Sequence, residues 1–163
     1  MLTFQESRGG ILIIGYYESE IEGNNTSEPY FKVPNQVLNY LAGKDPRDNI
    51  GDGLKEELPL PVYFISFTES PCLFLDREEA LEEWKKDESL DTIIKSSIGR
   101  LRGIPIVKIP YVLTESVPYM GEIGQEIVIQ GLGNIIEVCR RTDWENQEDL
   151  SDRIQEYITG LMY

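Results

Sequence analysis

The chain of 163 residues contains no histidine. This absence excludes Ser-His and Cys-His nucleophile pairs, acid–base catalysis by imidazole and every histidine-containing metal site. The glycine motifs of nucleotide-binding proteins are missing as well. No Gly-Lys-Ser/Thr loop occurs, and Gly131-Leu132-Gly133 lacks the third glycine of a dinucleotide loop. We therefore expect no cofactor, and the sequence argues against an ordinary hydrolase.

Cysteine is scarce, because only Cys72 and Cys139 are present. Each lies in an apolar run, and a free cysteine commonly behaves as a small buried hydrophobic residue. We predict that both are buried and reduced rather than joined in a disulfide. A pair 67 positions apart makes no metal motif, and two thiols are too few for a cysteine-only zinc site. We therefore expect no metal site.

Long apolar runs are also missing. No stretch approaches the roughly 18 apolar residues that a membrane helix needs, and the first ten residues do not resemble a targeting segment. We expect a cytoplasmic protein that does not contact a membrane. The length of 163 residues suits a single domain over 1–163, large enough to bury its own core.

Basic residues are few. Fifteen Lys and Arg stand against 29 Asp and Glu, which gives a net charge of −14 at pH 7. A negative field repels phosphates, so direct binding to nucleic acid or to an anionic membrane is disfavoured. The charge indicates either a protein partner with a basic surface or simply high solubility.

Hydrophobic periodicity and turn residues predict the order β-β-α-β-β-α-α-β-β-β-α. The spacing of Leu90, Ile93, Ile94, Ile98 and Leu101 predicts a helix. The prolines in 104–112 place that strand at a sheet edge. The fold class predicted is α+β, with a mixed or antiparallel sheet of about five strands and three to four helices packed mainly on one face. Strands are predicted at 3–7, 10–17, 61–67, 72–75, 104–112, 126–132 and 134–140, and helices at 34–41, 76–86, 90–101 and 143–160.

An acidic group at the start of the predicted last helix is the candidate binding site. Arg153 is the only base that follows it in the sequence, and two of its acids, four residues apart, repel each other on one helix face. Acids favour the first helical turn, which explains part of the group. A tryptophan within it suits an interface, where this residue is enriched. The predicted binding residues are Trp144, Glu145, Glu148, Asp149 and Asp152.

Our leading hypothesis is a non-enzymatic binding or inhibitory protein that docks a basic surface of a protein partner. One alternative is an accessory subunit of a larger assembly, held by apolar and aromatic contacts. Another is a metal-dependent or carboxylate-based enzyme that uses the acidic loop from Asp45 to Glu57. That loop does not match a calcium loop, because Pro59 stands where a bidentate Glu is needed. No oligomeric state is predicted.

Overall fold

The computed structural model describes residues 2–7, 10–23, 28–42, 58–68, 70–133 and 135–145. Its strands are β1 (Leu2–Ser7), β2 (Gly10–Glu20), β3 (Tyr30–Lys32), β4 (Leu60–Phe67), β5 (Leu73–Asp76), β6 (Leu90–Leu101), β7 (Ile104–Lys108), β8 (Glu126–Gly133) and β9 (Ile135–Arg140). Its α-helices are α1 (Asn35–Leu41), α2 (Leu81–Trp84), α3 (Tyr111–Ser116) and α4 (Arg141–Glu145), with 3-10 turns at Glu78–Ala80 and Pro118–Gly121.

All nine strands form one antiparallel sheet in the order β1-β2-β8-β9-β5-β4-β6-β7-β3. Strand β3, the last in this order, lies back against β2. Glu22 and Tyr30 exchange backbone hydrogen bonds of 2.8 and 2.9 Å, and the Ser19 hydroxyl donates to the Lys32 carbonyl at 3.0 Å. The eight strands from β2 to β3 therefore form a nearly closed barrel. We call the junction of β2 and β3 the seam.

Side chains alternate between two hydrophobic clusters, one on each face of the sheet. Along β4, Val62 and Phe64 join the larger cluster, whereas Ile65 and Phe67 join the smaller one. The larger cluster collects residues from β3 to β9, together with α1 and α3, so it fills the barrel interior. The smaller cluster lies outside β4, β5 and β9 and is covered by α2. We call these the inner and the outer cluster.

The prediction of an α+β fold with about five strands and helices packed mainly on one face is wrong, because the sheet dominates and the described helices are short. The largest error concerns 90–101, which is strand β6 and not a helix. In β6, Ile94 and Ile98 join the inner cluster and Ile93 the outer one. Apolar residues at helical spacing can equally supply both faces of a strand, and β-branched isoleucine suits a strand that is covered on both sides.

Several smaller predictions are confirmed. The β1–β2 and β8–β9 hairpins, helix α1, and strands β4 and β5 lie where the sequence placed them, within a few residues. The edge position predicted for 104–112 is wrong. Strand β7 ends at Lys108, and its outer edge is covered by β3, a three-residue strand that the sequence did not predict. Most of the helix predicted at 143–160 lies outside the described residues.

The prediction of two reduced cysteines is also wrong, although their burial is confirmed. Cys72 and Cys139 form a disulfide between the start of β5 and the end of β9. Their separation of 67 residues gave no indication that they are close in space, since β5 and β9 pair only through the barrel topology. Among the described residues, no helix has both the length and the apolar character needed to cross a membrane.

Candidate functional site

Two of the five predicted binding residues lie in α4. Glu145 is exposed, and its Oε1 lies 3.4 Å from Nε of Arg141. Trp144 is half-buried, packs against the outer cluster and donates from Nε1 to Oε1 of Gln130 at 2.8 Å. Trp144 therefore holds α4 against β8. Glu148, Asp149 and Asp152 lie outside the described residues, as does the loop from Asp45 to Glu57.

Next to Glu145, an open groove of about 540 Å³ runs along the seam of the barrel. The second half of β2, the end of β3, the start of β8 and the first residue of α4 supply its walls. We call it the acidic groove, because four glutamates line it. Its charged lining residues are Glu18, Glu20, Glu22, Glu126, Lys32 and Arg141.

Arg141 is the centre of the ion pairs around the acidic groove. Its Nη1 lies 3.0 Å from Oε1 of Glu18 and 3.8 Å from Oε2 of Glu126, while its Nε faces Glu145. The charge of Glu18, and the hydrogen bond with Glu145, raise the pKa of Arg141. At the other end of the groove, Nζ of Lys32 lies 3.9 Å from Oε2 of Glu22. Counting Glu145, five carboxylates surround two cations, so the region stays negative.

Two of these glutamates occupy directly opposed positions of neighbouring strands. The register of β2 against β8 places Glu20 opposite Glu126. Like charges at directly opposed positions of an antiparallel pair destabilise the sheet, by up to about 1 kcal/mol. Arg141 lies near Glu126 and also pairs with Glu18 and Glu145. Their opposed placement makes Glu20 and Glu126 candidates for binding a cation supplied from outside.

The groove also has an apolar part. Tyr17, Val33, Pro34 and Ile127 line it beside the glutamates. Tyr17 is half-buried against the inner cluster, and this burial raises the pKa of its phenol. Lysine and arginine bind such mixed surfaces well, because the aliphatic stem packs on apolar atoms while the charged end meets carboxylates. The arrangement therefore suits basic side chains.

No protein-family model matches this chain, and no curated protein is significantly similar to it in sequence. The functional assignment therefore rests on the charges and the geometry of the chain itself.

Of the residues in and beside the acidic groove, Glu145 alone was predicted as a binding residue. It meets the groove through Arg141. The alternating acids Glu18 and Glu20 could have indicated an acidic face of β2, since residues two apart in a strand share a face. Glu126 could not be joined to them, because only the β2–β8 register brings it there.

Proposed function

We propose that this chain is a non-enzymatic binding or inhibitory protein that docks a basic surface of a protein partner in the acidic groove. The observation that supports it most is the placement of Glu20 opposite Glu126, in a groove where five carboxylates surround two cations. A basic partner would relieve this repulsion on binding.

The net charge of −14 supports the same proposal from a longer range. A negative field over the whole molecule attracts a basic partner before contact, and a concave site of the same sign concentrates that field. Charge complementarity of this kind acts mainly on the rate of association and on the choice of partner.

The test compares two variants of equal net charge as baits for partner capture from the native source. The groove variant carries Glu18→Gln, Glu20→Gln and Glu126→Gln. The control variant carries Glu78→Gln, Glu79→Gln and Glu82→Gln, three exposed residues around α2. Both lose three negative charges, so only the position of the loss differs.

A partner that binds in the acidic groove should be captured by the wild type and by the control variant, and lost with the groove variant. That partner should also present a basic surface. Equal loss with both variants would mean that net charge alone retains it. Capture by all three baits would place binding elsewhere on the molecule.

The accessory-subunit alternative has one specific observation in its favour. Tyr111 and Val112, at the start of α3, are 55% and 54% exposed. If the partner is held by apolar contacts, the double change Tyr111→Ser and Val112→Ser should abolish capture while the groove variant keeps it. The enzyme alternative would use the loop from Asp45 to Glu57, which lies outside the described residues.

The cytoplasmic location also remains a proposal, and the disulfide bears on it. Disulfides persist mainly in oxidising compartments and are rare in the cytosol of most organisms. Alkylation of thiols at the moment of lysis, followed by mass measurement, gives the fraction of chains with free Cys72 and Cys139. Mostly free thiols would agree with a cytoplasmic location, and a fully oxidised pair would contradict it.

A further inference from the structure

Cys72 and Cys139 occupy facing positions at one end of the β5–β9 ladder. The register pairs Leu73 with Val138 and Phe74 with Glu137, so the next position along brings the two cysteines opposite each other. Their Cα atoms lie 4.5 Å apart, the spacing of a non-hydrogen-bonded antiparallel pair, in which side chains approach most closely. The strand pairing therefore holds the two sulfur atoms next to each other, whether or not they are bonded.

Glu137 lies beside them. It is two residues before Cys139 in β9, on the same face of the sheet, and its side chain is 0% exposed. Its Oε1 lies 3.1 Å from Sγ of Cys139. The neighbouring buried side chains on this face include Ile135 and Phe74, both of the outer cluster. A carboxylate buried here costs free energy that an aliphatic residue would not, which marks Glu137 as a functional candidate.

We propose that Cys72, Cys139 and Glu137 form a binding site for one thiophilic divalent cation of the Zn²⁺ class, open only when the disulfide is reduced. Zinc prefers thiolate and carboxylate ligands, and three protein ligands leave a fourth position for water or another ligand. The three ligand atoms lie within 4.8 Å of one another. In tetrahedral coordination, a sulfur at about 2.3 Å and an oxygen at about 2.1 Å from zinc lie about 3.6 Å apart, so side-chain rotations must bring the three ligand atoms together.

The gating follows from the balance of the chemistry. A dithiol reductant transfers two electrons and two protons, so that the Cys72–Cys139 bond breaks and the reductant closes its own disulfide. The cation then binds two thiolates and the Glu137 carboxylate, and two thiol protons are released to solvent. The same sulfur atoms cannot serve both states, so the oxidised chain has no such site.

The experiment uses the full chain, reduced with a phosphine, stripped with a chelator and kept free of oxygen. Co²⁺ is the probe, because cobalt–thiolate bonds absorb strongly in the near ultraviolet. The reduced chain should bind one Co²⁺ with this absorption, Zn²⁺ should displace it, and the oxidised chain should show neither effect. Absence of cobalt–thiolate absorption in the reduced chain, or equal binding in both redox states, would overturn the proposal.

Variants test the ligand set. Glu137→Gln should weaken Co²⁺ binding at least about 10-fold, since even the loss of outer partners of a metal ligand has that effect. Cys139→Ser should abolish the absorption. The exposed Glu115→Gln serves as the control and should leave affinity unchanged. Unaltered affinity in Glu137→Gln would contradict the three-ligand site. If circular dichroism shows that this variant does not fold, the comparison of reduced with oxidised wild type decides.

Discussion

Asp76, the last residue of β5, accepts two hydrogen bonds on the outer face of the barrel. Its Oδ2 accepts from Nε1 of Trp84 at 2.7 Å, and its Oδ1 accepts from the backbone N–H of Arg77 at 2.9 Å. The sequence predicts a helix over 76–86. The chain instead makes a 3-10 turn and the four-residue helix α2, and Asp76 fixes the tryptophan of that helix against the sheet. Burial raises the pKa of Asp76 above its ordinary value of 3.8, against the opposing effect of these hydrogen bonds.

This raised pKa predicts a pH dependence of stability. The folded state holds the Asp76 proton more tightly than the unfolded state does, so the resulting stabilisation is complete below pH 3.8 and is lost as pH rises through the raised pKa. The free energy of unfolding of the wild type, relative to Asp76→Asn, should therefore fall as pH rises from below 3.8 and then level off. Urea unfolding of both chains at a series of pH values measures this difference. A difference that grows with pH would contradict the account.

At the scale of elements, β6 shows where sequence patterns fail. Its apolar residues fit a helix of period 3.6, yet pairing with β4 and β7 makes it a central strand. Whether this segment forms a helix or a strand depends on partners that are distant in sequence, so periodicity alone could not predict it. The β8–β9 hairpin could be predicted, because a glycine-containing turn joins two apolar runs that are adjacent in the chain.

Two substitutions in β6 test its placement. Ile98 is 0% exposed in the inner cluster, so Ile98→Ala should reduce the free energy of unfolding by about 2–5 kcal/mol. Lys95 is exposed on the other face, and Lys95→Ala should change stability by no more than about 0.5 kcal/mol. Urea midpoints of the two variants measure the contrast, and similar midpoints would refute the packing of this strand.

The Glu20–Glu126 pair predicts a gain in stability. Glu20→Gln removes a like-charge contact between directly opposed strand residues and should raise the free energy of unfolding by about 0.2–1 kcal/mol at low salt. Glu22→Gln is the matched control, because Glu22 faces Lys32 in an exposed ion pair and should gain nothing. Unfolding of both variants at low and high salt separates the electrostatic effect, which salt weakens, from other effects of the substitutions. A loss of stability in Glu20→Gln would show that the acidic groove carries no repulsion to relieve.

For the whole molecule, the sequence predicted the charge but not where it is concentrated. The value of −14 follows from composition, whereas the groove forms only where β2, β3 and β8 meet at the seam. The disulfide has the same origin, because barrel topology brings together positions 67 residues apart. Closure of the barrel depends on β3, whose three residues are too few to show a period. Pairing between residues distant in sequence therefore determines the groove, the disulfide and the closure of the barrel, and local sequence patterns could not predict them.

We propose that the position of the acidic residues, and not their number, recruits a basic partner. The most direct test is the association rate constant of the captured partner with wild type, groove variant and control variant, each at two salt concentrations. Electrostatic attraction weakens with salt, because the Debye length is about 10 Å at 0.1 M and shortens as salt is added. We predict that the groove variant associates more slowly at low salt and with a weaker salt dependence, while the control variant stays close to the wild type. Equal association rates for the two variants, at equal net charge, would contradict the claim.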